Sequence, residues 1–360
     1  MDNPFRRRRS LAVRVGNAVI GGDAPISIQS MTNTKTEDVA ATLGQIKRLV
    51  EAGCELIRVA VPHEAAAQAL GQIVRQCPLP VIADIHFDVR LAYLALEQGA
   101  AKIRINPGNL GGREKLAELA RRAAEKGAAL RVGVNAGSLE RALRQQYGGA
   151  TPQALVDSAL SYVEELEKIN FHNVVLSLKA ADVPTMIEAY RRIADQVPYP
   201  LHLGVTEAGP LQSGTVKGAV GIGTLLAEGI GDTIRVSLTA DPVEEVRVAK
   251  EILQALRLRQ FGPELISCPI CGRCQVDLLP LVEAVSRFLQ AYRRPIKVAV
   301  MGCAVNGPGE AREADIGVSA GKEHGYIFRK GKVIQSVAPE RILDALRAEI
   351  EKLDLEIEEI

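Results

Sequence analysis

The chain has 360 residues, 47% of them hydrophobic and 24% charged, and a formal net charge of +1. That length can bury a large core and divide into two domains. The near-neutral balance argues against bulk electrostatic capture of nucleic acid, and no apolar run of about 18 residues offers a membrane span.

The run Arg6-Arg7-Arg8-Arg9 is the only charge block. The stretch after it is broken by Arg14, Gly16 and Asn17, so it makes no export signal. The four arginines read as a solvated, frayed terminus. Six cysteines, unevenly spread and without an export signal, fit a reducing cytoplasm. Two of them, Cys54 and Cys77, stand alone in apolar surroundings and read as core residues.

From about residue 26 to residue 257 a short β-branched run alternates with a longer segment of helical spacing. Strands are expected at 26–29, 56–60, 80–85, 102–105, 129–134, 174–178, 201–205 and 233–236. Helices are expected near 37–52, 64–75, 88–98, 113–126, 153–168, 183–195, 215–228 and 242–256. Thr151-Pro152 and Asp241-Pro242 place a capping residue before a proline at the first helical position. Gly53, Gly99 and Gly127 close their helices. Eight such units in about 230 residues match a (β/α)8 barrel of the TIM type; an open doubly wound sheet is the alternative.

The strand ends offer, in order, Ser30 and Thr32; Arg58; Asp84 and His86; Arg104 and Asn106; Asn135; Lys179; Glu207; Arg235 and Ser237. Parallel strands buried on both faces should end in apolar or turn residues if structure were the only demand. Here polar groups go to one rim, the carboxyl-end face where barrel enzymes carry their active sites. The rim is also cationic, with Arg58, Arg104, Lys179, Arg235 and, after Asn106-Pro107-Gly108-Asn109, Arg113. Guanidinium groups and glycine-exposed amides suit phosphate oxygens. A small polyanionic, phosphorylated substrate is expected.

A connection at 259–267 separates the barrel, 1–258, from a small α+β domain, 268–360. There the pattern predicts a helix over 271–293, strands at 296–301 and 315–319, a hairpin of 326–329 with 333–336, and a closing helix over 339–353. This domain holds Cys268-Pro-Ile-Cys271-Gly-Arg-Cys274 and Met301-Gly-Cys303-Ala-Val-Asn-Gly-Pro-Gly-Glu310. Three readings compete. Zinc on four cysteines is the structural one, although Cys303 has no neighbouring cysteine. A dithiol pair needs only Cys268 and Cys271. An iron–sulfur cluster accommodates a Cys-x-x-Cys pair with a distant cysteine.

These motifs, with Ile28-Gln-Ser-Met-Thr-Asn-Thr, Ala83-Asp-Ile-His-Phe, Lys102-Ile-Arg-Ile-Asn-Pro-Gly-Asn and His202-Leu-Gly-Val-Thr-Glu-Ala-Gly, resemble the 4-hydroxy-3-methylbut-2-enyl diphosphate synthases along both domains. The resemblance implies an oxidoreductase that acts on CH or CH2 groups in isoprenoid biosynthesis. Its substrate would be 2-C-methyl-D-erythritol 2,4-cyclodiphosphate, opened by two electrons with loss of water. It further implies a 4Fe-4S cluster on Cys268, Cys271, Cys303 and Glu310, fed by flavodoxin or ferredoxin. Cys274 departs from the family pattern and reads as a bystander. On this reading Arg58, Arg113, Arg144 and Lys179 hold the diphosphate, with Arg235 also on the binding rim. Asp84, Asn106 and Asn135 position hydroxyls. Glu207 donates a proton to the departing hydroxyl, with His86 and His202 as rivals for that role. The eighth helix should finish at the bottom of the barrel, so a short connection reaches the upper rim of the same chain with difficulty. A head-to-tail homodimer answers this, and the family has that arrangement. The competing classes are a non-redox barrel enzyme with a structural zinc tail and a cluster-bearing electron-transfer or regulatory protein.

Overall fold

The computed structural model describes residues 5–106, 108, 112–292, 294–303 and 312–358, with side chains to residue 353. After Arg259 the chain divides into two units.

The first unit opens with an antiparallel hairpin, β1 (Val13–Val15) and β2 (Ala18–Ile20), that the sequence reading did not anticipate. Parallel strands then alternate with helices. The strands are β3 (Ser27–Met31), β4 (Leu56–Ala60), β5 (Val81–Ile85), β6 (Lys102–Ile105), β7 (Ala129–Asn135), β8 (Val174–Lys179), β9 (His202–Leu203) and β10 (Thr233–Ile234). Their helices are α1 (Val39–Ala52), α2 (Glu64–Gln76), α3 (Val89–Glu97), α4 (Arg113–Glu125), α6 (Pro152–Glu167), α7 (Val183–Ala194), α8 (Leu211–Ala227) and α9 (Pro242–Ala255). A short additional helix, α5 (Arg141–Gln146), interrupts the loop after β7. The sheet order is β8-β7-β6-β5-β4-β3-β10-β9. A parallel bridge from Leu176 of β8 to Leu201, just before β9, closes it into the expected barrel. β9 and β10 are shorter than expected because Gly204 and Arg235 already belong to the loops that shape the rim.

The helices start where the sequence supplies an acceptor. Asp38, Asp88, Thr151, Asp182 and Asp241 each accept a backbone N–H of the first helical turn through the side chain. At the amino ends of the strands the hairpin acts as a plug. Val13, Val15 and Ile20 pack on Leu56, Ile82, Ala129 and Val175 of β4, β5, β7 and β8. Gly16 turns this hairpin at φ +60°, and a Cβ there would sit 3.4 Å from Pro80 Cβ and 3.3 Å from Ala101 Cβ.

The arginine run is not a frayed end throughout. Arg7 Nη2 lies 2.7 Å from Asp232 Oδ1. Arg8 donates to the carbonyl oxygens of Ala194 at 3.0 Å, Val197 at 2.6 Å and Tyr199 at 2.5 Å. Carbonyls and a buried carboxylate left under the β8–β9 connection require donors, and these two side chains provide them.

The second unit is a mixed sheet in the order β11-β12-β13-β14-β15, made of β11 (Glu264–Ser267), β12 (Lys297–Met301), β13 (Ile316–Ala320), β14 (Gly325–Arg329) and β15 (Lys332–Val337). β11 to β13 are parallel and the rest antiparallel. α10 (Leu278–Gln290) and α11 (Ile342–Glu358) cover it, with Val285, Leu289, Leu346 and Ile350 packed on Val298, Val300, Val318 and Ile327. Two expectations are corrected. The end of the supposed linker is a strand, because Leu265 and Ile266 pair with Val298 and Ala299. The helix expected from residue 271 begins only at Leu278, because the cysteine stretch spends its backbone bonds in turns. Cys274 N–H donates to Cys271 O at 2.9 Å, and Gln275 N–H donates to Gly302 O at 3.0 Å.

Candidate active site

Side chains alternate across a strand, and parallel register then decides which of them meet. Asp84 is in register with Arg104, and Arg104 with Arg131. Asn135 pairs with Lys179 at the ends of β7 and β8. Near the carboxyl ends this yields a connected polar group. Arg104 Nη1 lies 3.1 Å from Asp84 Oδ1, and both side chains are buried. His86 Nε2 stands 3.3 Å from Asp84 Oδ2 and 3.2 Å from Arg104 Nη1, and its ring is half exposed. With its amide turned to satisfy both neighbours, Asn135 accepts from Arg104 Nη2 at 3.0 Å. Burial opposes ionisation of Asp84, but Arg58, the bond to His86 and Arg104 together hold its carboxyl well below the usual carboxylate range.

Lys179 reaches this group because residue 204 is glycine: a Cβ there would lie 2.6 Å from Lys179 Nζ and 2.6 Å from the Arg235 carbonyl oxygen. Burial, then the charges of Arg131, Arg58, Arg235 and Arg104, push the Lys179 ammonium well below its ordinary pKa. Arg235 is balanced by Glu245 in the first turn of α9, at 2.9 Å from Nη2 to Oε1, and Glu245 also accepts from Ser30 Oγ at 3.0 Å. Arg235 Nη1 donates to Ser237 Oγ at 2.6 Å. Arg58 is buried, with Nε 3.0 Å from Met31 Sδ. Asn106 is buried and donates to Ser138 Oγ. Residues 107 and 109–111, which include Pro107 and Asn109 of the expected phosphate loop, lie outside the described residues.

Glu207 stands exposed on the loop after β9 with φ +54°, a left-handed conformation that costs a non-glycine residue about 1–3 kcal/mol. The loop is fastened on both sides of it, by Thr206 N–H to Ala180 O at 3.2 Å and by Thr239 N–H to Gly209 O at 2.9 Å. The conformation is therefore imposed by neighbouring strand ends.

Three of the expected site residues stand outside this connected group. His202 is not a rim residue. It opens β9, is fully buried, and neither ring nitrogen has a hydrogen-bond partner among the described residues. Arg113 is exposed, pairs with Glu165 at 2.8 Å, and lines a surface cleft with Glu140 and Tyr162. Arg144 is exposed and donates to Ala136 O at 2.7 Å. Among the described residues, neither arginine has a hydrogen bond or ion pair to the barrel group. Sequence reasoning also missed Lys102 and Arg131, both fully buried inside the barrel, and Glu245. The signal for the first was available: Lys102 and Arg104 are two apart on one strand, so they share a face. Among the described residues, the guanidinium groups of Arg58, Arg104, Arg131 and Arg235 stand against the carboxylates Asp84 and Glu245, with the amines of Lys102 and Lys179 beside them. Such an excess of buried positive charge suits a small polyanion.

In the second unit, Cys268 follows β11 and Cys303 closely follows β12, the adjacent parallel strand, so both stand at the same end of the sheet. Gly302 N–H donates to Cys268 Sγ at 3.2 Å, and Ser319 Oγ donates to Cys303 O at 2.9 Å. Cys271 is exposed, and the backbone N–H of Arg273 leads the interactions that lower its pKa. Cys274 donates to Val276 O at 3.3 Å, and its Sγ lies 2.6 Å from where a Gly302 Cβ would be. No three His, Cys, Asp or Glu side chains among the described residues already form a metal-binding group, and Glu310 lies outside those residues. A backbone N–H on one thiol sulfur and a lowered thiol beside it match what thiolate ligation of a metal requires.

A closed parallel barrel with buried polar groups toward the carboxyl ends of its strands, followed by a cysteine-bearing α+β unit, places the chain in the TIM-barrel class. The chain belongs to the GcpE family: residues 10–250 match the GcpE TIM-barrel domain and residues 264–352 the GcpE protein C-terminal domain. A relative from Caldanaerobacter subterraneus is 55% identical over 96% of this chain and 98% of its own length. One from Geobacter sulfurreducens is 54% identical over 96% and 98%. Both carry the name 4-hydroxy-3-methylbut-2-en-1-yl diphosphate synthase (flavodoxin). Among solved structures, the dihydropteroate synthase of Yersinia pestis is alike in fold alone, with a TM-score of 0.50 and 13% identity over 69% of this chain and 100% of that one.

Proposed function

We propose that this chain makes 4-hydroxy-3-methylbut-2-en-1-yl diphosphate from 2-C-methyl-D-erythritol 2,4-cyclodiphosphate, with flavodoxin, the donor named for its relatives, or ferredoxin delivering electrons. The observation that carries the reading is the uncompensated cationic interior beneath the barrel rim. A pair of electrons opens the ring at a carbon–oxygen bond, the diphosphate stays on the product as a linear ester, and a hydroxyl leaves as water after taking a proton. Arg58, Arg104, Lys179 and Arg235 hold the diphosphate and offset the charge that grows as the ring oxygen leaves. Asp84 fixes Arg104 and His86, and Asn106 and Asn135 meet the hydroxyls. Glu207 supplies the proton from the β9 loop, which its strained backbone fits. Arg113 and Arg144 guard the mouth from the outer loops.

The thiols of Cys268, Cys271 and Cys303, with the Glu310 carboxylate, would hold a 4Fe-4S cluster, whose chemistry when bound is one-electron transfer. A carboxylate is a harder and more replaceable ligand than a thiolate, so this donor set leaves one position open to a substrate oxygen. Cys274 stays outside the set.

The reading includes a head-to-tail homodimer. Arg259 Nη1 bonds Ile26 O at 2.9 Å and Glu55 Oε2 at 2.7 Å, just before β3 and β4, so the chain leaves the barrel at the plugged end. The connection 260–263 extends at most about 17 Å, which supports a barrel rim completed by the second unit of another copy. No helix among the described residues is long and apolar enough to cross a membrane, and a cytoplasmic place suits the free thiols. The relatives give no support to a non-redox barrel enzyme with a zinc tail. Anaerobic purification followed by iron, sulfide and zinc analysis tests the cofactor. Iron and sulfide in equal amounts are expected, and a colourless zinc protein contradicts the reading.

A further inference from the structure

Beneath the rim, the barrel holds polar groups for which the proposed reaction has no use. Lys102 is 0% exposed, and its register partners on either side are Ile82 and Ala129, which pack on the hairpin plug. It therefore stands low inside the barrel. Lys102 Nζ, Arg131 Nε and Nη1, and both ring nitrogens of His202 are buried without a hydrogen-bond partner among the described residues. Unsatisfied buried donors are costly, and a buried cation beside other cations is costlier still. Arg58 and Lys102 are both register partners of Ile82, and Arg131 lies two residues beyond Ala129, the partner of Lys102 on β7, so all three side chains share the inner face of the barrel. His202 opens β9, where its carbonyl oxygen accepts from Tyr190 Oη at 2.5 Å, and its ring feels the charges of Arg131, Lys179, Lys102 and Arg58. Arg104 and Arg235 add to the field higher up, Asp84 is already bonded to Arg104 and His86, and the buried Asp232 accepts from Leu201 N–H, next to His202, at 2.7 Å.

We infer that Lys102 and His202 form a proton-accepting floor to the substrate site, so that a dianion enters this barrel together with a proton. The inference rests on the barrel being the seat of the diphosphate. Burial first, and then the neighbouring arginines, depress both groups, which favours their neutral forms when the site holds no anion. An incoming dianion reverses the local field and raises both pKa values. The sign is fixed: a group whose pKa rises on binding takes up a proton at any pH between its free and bound values, and tighter binding at lower pH follows by linkage. Lys102 is then a positioning residue, acting through the field on the ligand held by Arg58 and Lys179.

The cyclic diphosphate and sulfate are both suitable probes, because neither exchanges protons itself near neutral pH. Calorimetric titration of the full chain, repeated in buffers of different ionisation enthalpy, gives the number of protons bound with each anion. Net uptake is expected with both. Lys102→Met should reduce the uptake and weaken binding, and His202→Asn should reduce the uptake further where imidazole titrates. Binding of either anion to the unaltered protein without proton uptake overturns the inference, as does uptake that both variants leave unchanged or failure of both anions to bind. Uptake with sulfate but no binding of the cyclic diphosphate upholds the floor and counts against the proposed substrate.

Discussion

At the scale of single residues, Asp84 organises the rim. It is buried, it fixes Arg104 and His86, and its carboxyl is held far below its ordinary range. Asp84→Asn leaves the Arg104 guanidinium buried without its counter-charge, which costs about 3–5 kcal/mol when a buried pair loses one partner. Because the folded-state pKa is lowered, this stability is present above about pH 4, the unfolded value, and is lost as pH falls through the folded one. Urea unfolding at neutral and at acid pH should show the gap between variant and parent closing on acidification, and a gap independent of pH would contradict the assignment. Glu207→Gln should keep the fold and substrate affinity while slowing turnover at least about 100-fold, the usual weight of a positioned acid; an unaltered rate removes Glu207 as donor. The rim residues were legible because a charged side chain ending a buried parallel strand has no structural motive. Lys102 and Arg131 were missed, since a cation inside such a strand reads first as one that faces outward, although the spacing of Lys102 from Arg104 marks a shared face. Glu245 was hidden for another reason: its partner Ser30 lies 215 positions away in sequence.

At the scale of elements, the repeated units were readable from period and caps, whereas the pieces that do not repeat were not. β1 and β2 are only three residues each, too short for alternation to stand out. Their role is nonetheless firm, because Val15 is fully buried on the floor of the barrel while Val19 on the same hairpin is 42% exposed. Val15→Asp buries an unpaired charge and should lower stability by more than about 3 kcal/mol. Val19→Asp should stay within about 0.5 kcal/mol. Similar losses in both, by urea denaturation, would mean that the hairpin does not plug the barrel. In the second unit the apolar stripe of α10 was visible, but its start was not. The stripe continues through Val276, whereas the backbone of Cys271 to Gln275 is committed to turns and to Gly302. A side-chain pattern cannot report such a commitment.

At the scale of the whole molecule, the division into a barrel and a cysteine-bearing unit followed from a change of pattern near residue 259, where the chain does divide. The proposed head-to-tail dimer makes a prediction that no single-chain arrangement shares. Co-expression of a Glu207→Gln chain with a Cys268→Ser chain should raise activity well above that of either alone, because the heterodimer contains one intact barrel facing one intact cysteine unit. Absence of any recovery in an isolated heterodimer contradicts the arrangement. On the proposed function, the cationic barrel presents a cyclic diphosphate to electrons. The direct measurement is anaerobic turnover of 2-C-methyl-D-erythritol 2,4-cyclodiphosphate by the iron-loaded protein with a chemical reductant, read by product analysis. Linear 4-hydroxy-3-methylbut-2-en-1-yl diphosphate, formed with two reducing equivalents consumed per molecule, is the expected result. Intact cyclic substrate in the presence of a fully loaded, reduced protein would contradict it.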